Sequence, residues 1–149
     1  MTLAAPPACH AAALAGSFAA IPGSEGAGNI VYRLRLTNTS TDACVLIGIP
    51  RLTLLEANGH AQPTDVIAGR PGALAPVHLT LPAHASGSAQ ARFSPDVPGV
   101  GEGAAGKPCE PVSHSLRITA PGGGTLTVAI TPATSVCEHG RLQLTKFSR

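Results

Sequence analysis

Tryptophan is absent from this 149-residue chain, and aromatic residues make up only 3% of it. Without indole rings or a run of exposed phenyl groups, the usual stacking platforms for sugars and unpaired bases are missing. Charge is scarce too, at 12% of residues and a formal net +2. The eight Arg and two Lys are scattered along the chain, so no basic block offers the electrostatic footprint of a nucleic-acid binder. Long apolar runs are also lacking. No Asp, Glu, Lys or Arg precedes Glu25, but Pro6, Pro7 and Pro22 would break a spanning helix, and no basic segment leads into an apolar one. This reading leaves the chain without a transmembrane segment or a retained signal peptide. Residues 1–8 read as a flexible N-terminal segment, and the opening fits a domain whose export signal was removed upstream of Met1.

What is abundant is small and turn-forming. Gly 17 and Pro 14 punctuate a chain that is otherwise 44% apolar, and Ala, Val, Leu and Ile must fill the core with little aromatic help. Residues 1–149 are enough for one domain and too few for a second independent core.

The four cysteines, Cys9, Cys44, Cys109 and Cys137, are even in number and far apart, and they lack the C-x-x-C knuckles of structural zinc sites. Two disulfides are the simpler account. Counting alone allows three pairings; Cys9 with Cys44 and Cys109 with Cys137 would each close a loop of about thirty residues, for roughly 3 kcal/mol or more per bridge. Such bonds persist in an oxidising compartment, so the expected location is extracytoplasmic, secreted or lipid-anchored. The rival is a mixed metal site using Cys9 with His10, or Cys137 with Glu138 and His139.

Period-two alternation runs along most of the chain. Ile30, Tyr32, Leu34 and Leu36 share one face against Val31, Arg33, Arg35 and Thr37, as in a half-buried strand. Cys44 to Ile49 and Arg51 to Glu56 read as further strands, the second followed by the turn dipeptide Asn58-Gly59. Val77 to Leu81, Ala89 to Phe93, Leu116 to Ile118, Leu126 to Ile130 and Leu142 to Leu144 continue the pattern, while Ala61 to Pro76 and Ser94 to Lys107 read as loops. The stretch Ala8 to Ala20 reads as a first strand leading from Cys9, with a helix as the alternative. About eight or nine short strands between Gly/Pro turns predict an all-β, two-sheet antiparallel β-sandwich, immunoglobulin-like in its layering. An antibody-type domain is not implied, because its Cys-Trp-Cys core cannot be built.

Gly28-Asn29 leading into Tyr32 to Ser40, then Cys44-Val45-Leu46 with Gly48 and Pro50, Leu52 to Leu55, Ala57 and Gly59 resemble the bacterial domain of unknown function 4232. The resemblance continues through Cys109, Pro111, Leu116 to Gly122, Val136-Cys137, Gly140 and Leu142. It implies an exported protein or lipoprotein, mainly actinobacterial, and it brings no catalytic residues.

The motifs with chemical potential each meet a plainer reading. Gly101 to Lys107 matches a phosphate-binding loop until Pro108, where the magnesium-binding hydroxyl should stand. Ser86 and Ser88 lie near His84 without a nucleophile elbow, and read as turn residues. Asp65, Asp96, Glu102 and Glu138 are conceivable catalytic carboxylates, though all fall in expected loops. His78 and His84, with His60, His114 or His139, are conceivable metal ligands and more simply surface imidazoles. No catalytic residue, cofactor or metal is therefore expected. The expected function is a non-catalytic extracytoplasmic binding or structural module of the cell envelope. Its partner would be another envelope macromolecule, protein rather than glycan, met by loops 61–76 and 94–107. The alternative is a metal-binding protein or small hydrolase built from His and carboxylates distant in sequence.

Overall fold

The alternating segments form ten strands in the computed structural model, which describes residues 5–48, 50–68 and 77–149. They are β1 (Leu14–Ala20), β2 (Ile30–Asn38), β3 (Cys44–Gly48), β4 (Arg51–Leu55) and β5 (Asp65–Ala68). The second half adds β6 (Val77–Leu81), β7 (Ser86–Phe93), β8 (Ser113–Thr119), β9 (Thr125–Thr134) and β10 (Arg141–Leu144). The N-terminal helix alternative is reduced to a single 3-10 turn at Ala11–Ala13 before β1.

The strands do not form the expected two-sheet antiparallel sandwich. Eight lie in one sheet in the order β4-β8-β9-β1-β2-β7-β10-β5, and β3 pairs with β6 in a separate ribbon. The large sheet is mixed, because β1 runs parallel to β9 and β10 parallel to β5. It also nearly closes. The edge strand β4 meets the segment entering the other edge strand through the Leu55–Ala61 bridge, the bond from Gln62 N to Leu54 O and that from Leu54 N to Thr64 Oγ1. A curled sheet covers its own apolar face, which removes the need for a second full layer, and closure leaves little unpaired edge. The stretch expected as a 61–76 loop therefore contains β5, and residues 69–76 lie outside the described residues.

The face assignments along β2 hold: Ile30, Tyr32, Leu34 and Leu36 are buried while Arg33 and Arg35 are exposed. Small side chains bring the layers close. A methyl group at Gly87 would meet Leu79 Cδ2 at 2.8 Å, so the missing side chain there gives the leucines of the β3–β6 ribbon room against β7. Three of the four aromatics, far apart in sequence, meet at one point. Tyr32 lies 5.1 Å from Phe18 and 5.0 Å from Phe93 between ring centroids, in tilted arrangements that add about 1 kcal/mol each to the burial gain. Its hydroxyl donates to Pro132 O at 2.7 Å. Burial, with a smaller push from the charge of Glu25, raises that hydroxyl above its ordinary pKa.

Both disulfides form with the pairing that loop length favours, Cys9–Cys44 and Cys109–Cys137. The first ties the N-terminal segment to β3, where Cys9 N donates to Val45 O and Val45 N to Pro7 O. Residues 5–8 are thus partly held by the ribbon rather than hanging free. The second joins the end of the long β7–β8 connection to the turn before β10.

One buried polar side chain organises the opposite end. Asn38 is fully buried; its Nδ2 donates to Asp42 O and Leu81 O at 2.8 and 3.0 Å, and its Oδ1 accepts from Ser40 N and Ser40 Oγ. Its backbone brackets the next turn, donating to Ala85 O and accepting from His84 N. Replacing Asn38 by Ala strands these groups, and urea denaturation should show a loss of about 2–3 kcal/mol. Asn38→Asp, which removes the donor and buries a charge, should cost more.

Candidate functional site

The β7–β8 connection is the longest stretch without a strand among the described residues, and its glycines bend it back on itself. Gly101 and Gly103 have φ of 82° and 71°, a region open to glycine at little cost. The loop is anchored at its start, where Ser94 Oγ accepts from Val97 N at 2.9 Å and Ser94 O accepts from Cys137 N at 2.8 Å. The second anchor is Glu102.

Facing Glu102 is the turn Cys137–Gly140. Glu138 and His139 adopt left-handed backbone with φ of 58° and 57°, followed by Gly140 at 78°. Consecutive left-handed residues aim successive N–H groups at one point, a concavity suited to an anion. The anion is internal. Glu102 Oε1 accepts from Glu138 N at 2.7 Å and from Gly99 N at 2.8 Å, and Oε2 accepts from His139 N at 2.8 Å. Its side chain is 1% exposed. Gly140 is required for the approach of the neighbouring segment, because any Cβ there would collide with the Pro63 carbonyl.

Two further titratable groups meet this carboxylate. Glu110, one residue after the Cys109 bridge, shares a side-chain hydrogen bond with Glu102. His139 Nδ1 lies 3.6 Å from Glu102 Oε2, while its Nε2 is 2.9 Å from Val100 O and must be the protonated nitrogen there. The two carboxyl groups are driven apart. Burial raises Glu110 above its ordinary pKa, the hydrogen bond to Glu102 and the charge of Glu102 raise it further, and His139 opposes. Burial alone would raise Glu102 as well, but the amides of Gly99, His139 and Glu138 and the Glu110 hydrogen bond outweigh it and hold it low. The pair thus favours the charged form at Glu102 and the protonated form at Glu110.

Ligand atoms of Glu102, Glu110 and His139 fall within 4.8 Å of one another, the one such group among the described residues. Three amides and one carboxyl already use the acceptor capacity of Glu102, so a metal ion would have to displace them. As arranged, the cluster fastens loop 94–107 to the last turn of the barrel.

The other sequence candidates do not converge. Cys9 and Cys137 are in disulfides, and His10 is exposed. His60 bonds Asn58 within its own turn, His78 is exposed on β6 opposite Ile47, and His114 is exposed on β8. His84 takes a left-handed turn conformation, and Ser86 Oγ pairs with Thr37 Oγ1 at 2.7 Å. Asp65 lies in β5 and Asp96 is exposed. Glu138 contributes its amide to Glu102, while its carboxylate pairs with Arg141 at 2.9 Å. After Pro108 the chain enters a disulfide and then a strand, so residues 101–108 do not open a phosphate-binding helix. Sequence reasoning weighed Glu102 and Glu138 but passed over Glu110, whose one signal is its place beside Cys109.

The apolar crevice between ribbon and barrel, lined by Leu36, Leu46, Pro50 and Phe147 among others, holds only about 40 Å³. That is far below the volume of an ordinary ligand site.

These features define a class: a disulfide-tied, nearly closed β domain suited to an oxidising compartment, with its acidic cluster built into the frame. The chain belongs to the family described as Domain of unknown function (DUF4232), whose model matches residues 9–148. No curated protein and no solved structure matches it significantly. No helix among the described residues is long and apolar enough to cross a membrane.

The carboxyl pair sets a pH dependence of two opposite signs. Glu102, held low in the folded state, contributes stability above the ordinary carboxylate range that is lost as pH falls through its folded pKa. Glu110, held high, contributes stability at acid pH that is lost as pH rises through its folded pKa. Glu110→Gln donates to Glu102 at every pH. Melting curves should show this variant above wild type at pH 7 and level with it at pH 4; equal melting temperatures at pH 7 would refute the assignment.

Proposed function

We propose that the protein is a non-catalytic extracytoplasmic binding module of the cell envelope, secreted or lipid-anchored, whose working surface is loop 94–107 and whose partner is another envelope protein. One observation carries this reading: Val100 is 96% exposed at the crest of a loop that Glu102 and the Cys109–Cys137 bridge hold still. Val97, 51% exposed, stands three residues before it. An apolar side chain in water, fixed on a rigid support, meets a partner at low conformational cost. The cluster that resembles acid–base machinery supports the non-catalytic side of the reading, since its lone pairs are spent on backbone amides.

A metal-binding role is the second reading, and the convergence of Glu102, Glu110 and His139 favours it. Calorimetry separates the two. Heat on adding zinc or copper that disappears in His139→Ala supports the metal, and no heat at millimolar metal supports the frame.

Cross-linking from the native envelope tests the main proposal. Wild type should capture a protein that Val100→Glu captures at least tenfold less well, with unchanged melting temperature. A partner captured equally by both forms, or none from any envelope fraction, would count against it.

A further inference from the structure

Five of the ten basic side chains gather on one surface, the outward face of β2 and β7 together with the tail after β10. Arg33 and Arg35 project outward from β2, Arg92 outward from β7, and Lys146 and Arg149 follow β10; all five are exposed. Strand register fixes their neighbours. Arg33 stands between Ala19 and Gln90, Arg35 between Ser17 and Ser88, and Arg92 between Val31 and Gln143, with no carboxylate in any of these rows. The Arg141–Glu138 ion pair and the approach of His139 to Glu102, the two such contacts among the described residues, leave all five out.

Such a grouping is unfavourable in the isolated protein, since like charges on adjacent rows repel. Arg33 and Arg35 are about 7 Å apart by strand geometry, too close for water alone to make the pairing neutral. The surface is also hollowed. Arg33, Lys146 and Arg149 border an open depression of about 600 Å³ whose floor includes Ser88, Gln90 and Thr145. Hydroxyl and amide groups thus stand between the cations.

We infer that this face is a docking surface for a linear anionic polysaccharide, its acidic groups meeting the arginines and its hydroxyls meeting Ser88, Gln90 and Thr145. Charge complementarity selects an anion, and the rest of the face selects the polymer. Docking on an anionic membrane joins cations to apolar side chains that enter the lipid. Among the described residues the exposed large apolar side chains, Ile47, Val97, Val100 and Val112, all belong to other segments. A protein interface needs a dry apolar centre, which a face of Arg, Ser, Gln and Thr does not supply. Single-stranded nucleic acid needs exposed rings for its bases, and all four aromatic side chains are buried. An extended sugar chain with spaced carboxylates or phosphates is held through charge and hydroxyl contacts in place of the ring stacking that this chain lacks.

The test uses the full chain with alginate as the polyanion, dextran as the neutral control, and anionic lipid vesicles and single-stranded DNA as competitors. Alginate should bind and dextran should not. With four charge contacts, affinity should weaken roughly 50-fold between 50 and 200 mM salt. The double variant Arg33→Glu/Arg35→Glu should lose at least tenfold in affinity at 50 mM salt while keeping its melting temperature. Because it leaves Val100 untouched, it should still cross-link the envelope protein, so the two surfaces fail or succeed separately. No binding of alginate, equal binding by the variant, or vesicles or DNA bound as tightly as alginate would overturn the inference.

Discussion

A buried carboxylate held by three backbone amides is the interaction on which the loop end of this protein depends. Glu102 accepts from Gly99 within its own loop, and from Glu138 and His139 across to a segment that no strand ladder connects to it. Charged hydrogen bonds of this kind are about twice as strong as neutral ones, and in a water-poor site they are costly to break singly. The Cys109–Cys137 bridge confines the same two segments covalently. Together they turn a glycine-rich connection, which would otherwise sample many conformations, into part of the barrel wall.

The rest of the frame supplies what this fastening needs. Near-closure of the eight-stranded sheet fixes β7, which starts the loop, relative to β10, which follows the turn. The Phe18–Tyr32–Phe93 cluster sets the spacing of β1, β2 and β7 from inside, and Asn38 does the same for the turns at the far end. One rigid body then offers two unlike surfaces, an apolar loop crest and a basic sheet face. Neither requires a moving part.

Much of this was legible in the residues, and the exceptions have physical causes. The inward positions of Tyr32, Leu34, Leu54, Ala91 and Leu116 follow from alternation, because a strand buried on one face must place every second side chain there. Strand direction leaves no such trace: Phe18 beside Ile130 in a parallel pair looks the same in sequence as in an antiparallel one. That blindness turned a curled mixed sheet into an expected sandwich. β5 was hidden in a loop because Asp65 to Ala68 is short and only partly buried. At the site, Glu102 was one of four conceivable carboxylates in expected loops, and its partners could not be read. Left-handed backbone at Glu138 and His139 is rare outside glycine, and tertiary contacts impose it. Glu110 meets Glu102 beside the Cys109–Cys137 bridge, a meeting that spacing in sequence does not reveal.

Glu102 is spent on the backbone, and amide hydrogen exchange tests this directly. In wild type the Gly99, Glu138 and His139 amides should be strongly protected despite their place in loops and turns. In Glu102→Gln, protection at these three should fall at least tenfold while the β2 and β7 amides keep theirs. Unchanged protection at Glu138 and His139 in that variant would contradict the account.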